Sequence, residues 1–353
     1  MIIYFIRTDS LQYEARGEKF CKYVEHHGYA VLMAAVVKKN FKVNFRSIQK
    51  VVNIGNKLIP QWGRHLVKFV AIQYFFFKTY HKRREQISHI VIGNYEFLPA
   101  ALILALISRT RIYIDLHEHY FTRLFINPHF ANFILTKWLD GVIFANHARA
   151  EDLLGQYSGG EKVSIVRNFP DIKGGSIVVN NFHVNQKIKL AIVGNIAPGR
   201  FVEESIRYLD SNQFASKIEL HLFGRIPLIK TLFVEHVNHG SFNHDEIDDL
   251  MQSIDVSLVF YDRSYSKNYF LCEPNRFFQA YNAGNKIICF DHPSISEFYD
   301  DHVLVINEDN FKCEFVQAVS SLTDKLNNDK NNNERTRKVL TYNDGITGLK
   351  WLK

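Results

Sequence analysis

The chain has 353 residues, room for two domains of ordinary size. A composition of 46% hydrophobic and 22% charged residues excludes a disordered or fibrous chain. No run of about 18 uncharged apolar residues is present, so no membrane span is expected. Residues 1–170 hold 23 Lys and Arg against 12 Asp and Glu, whereas 171–353 hold 20 against 24. A basic front half predicts an anionic partner: a membrane surface, a phosphorylated lipid or a nucleic acid. Cys21, Cys272, Cys289 and Cys313 are scattered without metal-ligand spacing, which fits a reducing, cytoplasmic setting. The opening MIIYFIRTDS lacks the charged and long apolar parts of a secretory signal, so none is expected.

Along the chain, Ile2–Ile6 reads as a strand, Glu18–His27 as a helix stopped by Gly28, and Tyr29–Val37 as a buried strand. Strand, helix and strand make a βαβ unit and hence a parallel sheet. Arg64–Arg84 reads as a helix with an apolar face and a basic end. Its Phe75, Phe76, Phe77 and Tyr80 are candidates to enter a membrane interface beside Lys78, Lys82, Arg83 and Arg84. The alternative is a core helix with a solvated basic end.

His89–Ile92 and Arg111–Leu116 read as strands with an apolar helix, Pro99–Ser108, between them. The second strand runs into DLHEHY, which places Asp115, His117, Glu118 and His119 at a strand's carboxyl end, where α/β sheets carry their chemistry. A metal site there would need ligands that the neighbouring segments do not supply. Asp140–Ala145 reads as a strand, with Asn146 capping the next helix, and Val163–Val166 as another strand. Residues 171–187 are polar and contain two glycines, as expected of a linker.

After the linker, Ile188–Gly194 reads as a strand, followed by the loop Asn195–Arg200 and a helix from about Phe201 to Leu209. Strand, glycine loop and helix form a possible phosphate cradle. Glu219–Phe223 and Asp255–Tyr261 read as strands and His244–Ser253 as a helix, a second doubly wound pattern. The stretch Glu273–Asp291, EPNRFFQAYNAGNKIICFD, then reads as helix start, helix and buried strand, with Gly284 closing the helix. A helix start favours an anion, and Arg276 and Asn275 sit in its first turn.

EPNRFFQAYNAGNKIICFD resembles the donor-diphosphate helix of GT-B glycosyltransferases, in particular the retaining family numbered four. EARGEKFCKYVEHHGYAV, DLHEHY and DGVIFANHARAEDLLGQY resemble other elements of that family in the same order. The resemblance implies two Rossmann-like, doubly wound parallel-sheet domains facing a cleft, with a C-terminal helix returning to the first. It implies an acceptor domain over 1–170, a linker over 171–187, a nucleotide-sugar domain over 188–335 and a returning segment over 336–353 anchored by Trp351.

The same resemblance places His117 in the catalytic pocket. It assigns Gly194, Asn195, Arg200, Arg225, Glu273, Pro274, Asn275, Arg276 and Gln279 to the donor, and Tyr13, Arg16 and Glu118 to the acceptor side. Three family positions depart. A lysine is replaced by Ser205, for which Arg276 supplies charge, the ribose-binding glutamate is replaced by Gln279, and the other of the paired glutamates aligns with Leu271, two residues from Glu273. The family's Gly-Gly pair after the first strand is absent.

The implied reaction is transfer of a sugar from a nucleotide-sugar to a hydroxyl of a saccharide or lipid-linked saccharide, with retention, in surface-polysaccharide synthesis. No cofactor or metal is expected, because the chain lacks the Asp-x-Asp diphosphate clamp. An anionic membrane surface is an expected partner and nucleic acid is not, since no nucleic-acid motif accompanies the basic half. The expected location is cytoplasmic, on the inner face of the plasma membrane. The alternatives are a non-catalytic scaffold of the same fold and a sugar-nucleotide epimerase.

Overall fold

The apolar N-terminal run forms the middle of a parallel sheet. The computed structural model describes residues 1–8, 15–37, 48–49, 61–116, 128–170, 176–178, 187–194, 200–224, 231–240, 246–328 and 336–351. The chain divides into two units, Met1–Asp171 with Tyr342–Lys353, and Ile172–Thr341.

The first unit contains β1 (Ile2–Thr8), β2 (Val31–Val37), β3 (Ile48–Gln49), β4 (His89–Ile92), β5 (Arg111–Leu116), β6 (Gly141–Phe144) and β7 (Val163–Ile165). They lie in the order β3-β2-β1-β4-β5-β6-β7, all parallel. β1 is apolar on both sides because both are covered. Ile3 and Phe5 enter one core, and Ile2, Tyr4 and Ile6 enter the other. Asn146 caps the helix His147–Leu154, its Oδ1 accepting from the Arg149 N–H at 2.9 Å, as the sequence predicts.

The helix Gln61–Arg83 corrects the expected membrane-facing ring stripe. Phe75 and Phe76 are buried, and Phe76 packs on Phe5 with ring centres 4.4 Å apart. Phe77 and Tyr80 are partly buried against the same core. Ile72, Phe75, Phe76 and Thr79 recur at helical spacing and face the sheet. The outward apolar residues are instead Leu66, Val67, Phe69, Val70 and Tyr74. No helix among the described residues is long and apolar enough to cross a membrane.

The C-terminal segment joins the first unit. Leu349, Tyr342 and Ile346 enter the core beneath Phe20 and Tyr4. Trp351 lies on the Tyr113 ring, with centres 4.3 Å apart and planes 19° from parallel. Gly348 permits this return, since a Cβ there would strike the Ile165 carbonyl.

The second unit contains β8 (Ser176–Val178), β9 (Ile188–Val193), β10 (Ile218–Phe223), β11 (Glu235–Gly240), β12 (Val256–Val259), β13 (Lys286–Phe290), β14 (Val303–Ile306) and β15 (Thr336–Lys338). Six of these form a parallel sheet in the order β11-β10-β9-β12-β13-β14. β8, inside the expected linker 171–187, forms a separate antiparallel pair with β15. Its partner lies more than a hundred residues on, which no local pattern reveals. In the helix Phe311–Asn328, Phe311, Phe315, Val319 and Leu322 are buried in the core of this sheet. In both sheets the winding direction reverses at the middle strand, between β1 and β4 and between β9 and β12. Ligands of doubly wound sheets bind beyond the strand ends at that switch point.

Candidate functional site

β9 ends at the second switch point on Gly194, whose φ of 110° is closed to ordinary side chains. A Cβ on Gly194 would fall inside the guanidinium of Arg276. Gly224, ending β10 with φ 118°, is needed for the same reason, because a Cβ there would meet the Gly194 carbonyl. The two glycines bring adjacent strand ends together beneath one arginine.

Arg276 lies in the first turn of the helix Asn275–Asn282. Pro274 occupies the position before that helix, one residue earlier than Pro in the first turn would be, and the helix start has no side-chain cap. The expected stripe is present: Phe277 and Phe278 are fully buried, Gly284 takes φ 79°, and β13 follows. Glu273 and Gln279 are buried in the same segment, and Asn275 is partly buried.

Arg200 approaches from the loop after β9. Phe201 follows it at φ 52°, in the left-handed region, and is held there by its ring against Phe290 (4.9 Å) and Phe311 (4.7 Å). Arg200, Ser205 and Arg276 line one small recess with Val193 and Phe260. The Ser205 hydroxyl is committed to its own helix, donating to the Phe201 carbonyl at 2.5 Å. Arg276 therefore brings charge to the recess where Ser205 has none.

Neither arginine pairs with a carboxylate among the described residues. Nε and Nη1 of Arg200 are buried without a hydrogen-bond partner. Burial lowers the pKa of Arg276, and the like charge of Arg200 acts in the same direction. Two partly buried guanidinium groups with no carboxylate partner among the described residues, beside a helix start, form a site short of negative charge. Diphosphate oxygens suit it, because charge-assisted bonds to them are short and strong.

Sequence reasoning missed two contributors. Tyr261 and Tyr269 face Arg200, with ring centres 3.4 Å and 4.4 Å from its guanidinium carbon. The aromatic density of YDRSYSKNYF was the available signal.

In the first unit, Asp115 and Arg16 pair deep beneath β5. Arg16 Nη2 donates to Asp115 Oδ1 at 2.8 Å and its Nε to Oδ2 at 3.0 Å. Its Nη1 donates to the Val166 carbonyl at 2.9 Å, and Tyr4 Oη donates to Asp115 Oδ2 at 3.0 Å. Burial opposes the Arg16 charge, and Asp115 outweighs it, so the guanidinium pKa is raised. Arg16, expected on the acceptor side, is thus buried and committed to the strand end that leads into His117. Tyr13, His117, Glu118, Asn195 and Arg225 lie outside the described residues.

The sequence matches no protein-family profile, and no curated protein matches it in sequence. Solved structures do match. The apo form of the lipopolysaccharide outer core galactosyltransferase WaaB has a TM-score of 0.62 at 12% identity, over 93% of this chain and 94% of that one. Sucrose-phosphate synthase from Thermosynechococcus elongatus gives 0.63 at 12% identity, over 92% and 90%. Anabaena HepE in complex with UDP gives 0.59 at 12% identity, over 99% and 94%. With two doubly wound parallel sheets and these neighbours, the chain has the GT-B fold of nucleotide-sugar glycosyltransferases.

Proposed function

We propose that the protein is a glycosyltransferase that holds a nucleotide-sugar in its second unit and transfers the sugar to a hydroxyl of a saccharide or lipid-linked saccharide. The observation that carries this reading is the convergence of Arg200 and Arg276, with no carboxylate partner among the described residues, at the switch point of the second sheet. Departure of a nucleoside diphosphate concentrates charge on its terminal phosphate, and these guanidinium groups with the helix start neutralise it without a metal. Gly194, Asn195, Arg225, Glu273, Pro274, Asn275 and Gln279 are proposed to complete the donor site. His117, Glu118 and Tyr13 are proposed for the sugar and acceptor.

Retention and a role in surface-polysaccharide synthesis follow from the family resemblance, and WaaB, a lipopolysaccharide galactosyltransferase, supports the pathway. HepE was solved with UDP and glucose, so uridine donors head the list to test. Incubation with UDP-, GDP-, ADP- and dTDP-sugars should release the nucleoside diphosphate from one of them. Arg200→Ala and Arg276→Ala should each slow that release about tenfold or more, the value of one charge-assisted hydrogen bond. No release with any donor, with or without acceptor saccharides, would leave a non-catalytic binding protein.

We further propose that the first unit docks on an anionic membrane. Support comes from the outward apolar face Leu66, Val67, Phe69, Val70 and Tyr74, with exposed Lys78 and Lys82 on the same helix and exposed Arg84 just past its end. Each cation near anionic lipid contributes ~1 kcal/mol. Changing Lys78, Lys82, Arg83 and Arg84 together to Gln should therefore release the protein from phosphatidylserine vesicles in co-sedimentation. Equal binding by wild type and variant, or no binding by wild type at low salt, counts against docking through this helix.

A further inference from the structure

Arg200 is held by aromatic rings where an ion pair would be the ordinary solution. The rings of Tyr261 and Tyr269 stand 5.7 Å apart at 69°, a corner into which the guanidinium fits. An aspartate there would hold Arg200 more strongly, but it would cancel the charge and compete with an incoming anion. A ring face attracts the cation through its quadrupole and leaves the net charge intact.

The corner is itself fixed. Tyr261 is buried just past the end of β12 and stands edge-on to His292, ring centres 6.0 Å apart. Tyr269 sits on the short helix Lys267–Leu271, whose Ser266 accepts from the Tyr269 N–H at 3.2 Å. His292, itself buried, lies with Nε2 2.7 Å from the Tyr269 carbonyl, and Ser294 Oγ donates to the Cys272 carbonyl at 2.7 Å. The turn after β13 thus ties down the segment that carries both rings.

We infer that Tyr261 and Tyr269 are positioning residues that aim the Arg200 guanidinium at the diphosphate of the donor. The inference rests on the donor-site reading above and names two residues that the family resemblance does not supply. Inorganic pyrophosphate and UDP, titrated calorimetrically, test it. Tyr261→Leu and Tyr269→Leu should each weaken binding by about 5- to 30-fold, the upper end corresponding to one desolvated cation–π contact. Tyr261→Phe and Tyr269→Phe, which keep the rings, should bind as wild type does.

In an Arg200→Ala background the Leu changes should have no further effect, because the group they position is gone. Tyr269 is only partly buried, so Tyr269→Leu carries the test if Tyr261→Leu does not fold. Leu variants that bind pyrophosphate and UDP like wild type overturn the positioning role alone. So do Leu changes that cost as much without Arg200 as with it. Wild-type protein that binds neither probe overturns the donor site and the positioning role together.

Discussion

Gly194→Ala is expected to weaken nucleoside diphosphate binding about tenfold or more and to lower stability as well. A non-glycine residue at φ 110° carries roughly 1–3 kcal/mol of strain, which costs stability in the free and bound protein alike. The new methyl also occupies the position of the Arg276 guanidinium, so that group must swing out of the recess. Losing its charge-assisted bond removes about 1.5–3 kcal/mol of binding free energy. Gly28→Ala is the control: it shares a positive φ, 83°, but its Cβ meets nothing within 4 Å. It should lower stability by the strain alone and leave nucleotide affinity unchanged. Calorimetric titration of both variants separates the outcomes, and a Gly194→Ala protein of wild-type affinity would show that Arg276 does not reach the ligand.

Asp115→Ala is expected to destabilise the first unit by about 3–5 kcal/mol, the cost of removing one partner of a buried ion pair. Arg16 is 4% exposed and Asp115 1%, so water cannot replace the lost carboxylate. The same change strips the Tyr4 hydroxyl of an acceptor. The double variant Arg16→Met, Asp115→Leu should recover much of the loss, since it leaves no charge buried alone. Urea unfolding followed by circular dichroism measures both. If Asp115→Ala unfolds at the wild-type denaturant concentration, the pair does not anchor the strand end that precedes His117.

How far the sequence carries depends on whether the signal is local. Asn146 announces its cap by chemistry alone, and Gly284 marks a helix end that the structure shows at φ 79°. His89–Ile92 is a strand over the residues read as one, because an apolar run leaves little choice. β11 was missed: EHVNHG is an exposed edge strand with one aliphatic residue, and nothing in it alternates as a half-buried strand does. In the run Tyr74–Phe77 four consecutive aromatic residues give no phase. Only the packing of Phe76 between Phe5 and Phe97 decides which of them face inward.

The candidate site divides in the same way. Gly194, Arg200 and Arg276 lie on recognisable loop and helix starts. Tyr261 and Tyr269 are marked only by the aromatic density of their segment, and the Arg16–Asp115 pair, spanning 99 residues, is encoded by no local pattern.

Arg200 and Arg276 are proposed to form a diphosphate site. Calorimetric titration of UDP, GDP, ADP and dTDP, each against its own nucleoside, tests it most directly. One diphosphate should bind at least about tenfold more tightly than its nucleoside, and Arg276→Ala should remove most of that difference. Diphosphates that bind no better than nucleosides, or an Arg276→Ala protein that keeps the full difference, would contradict it.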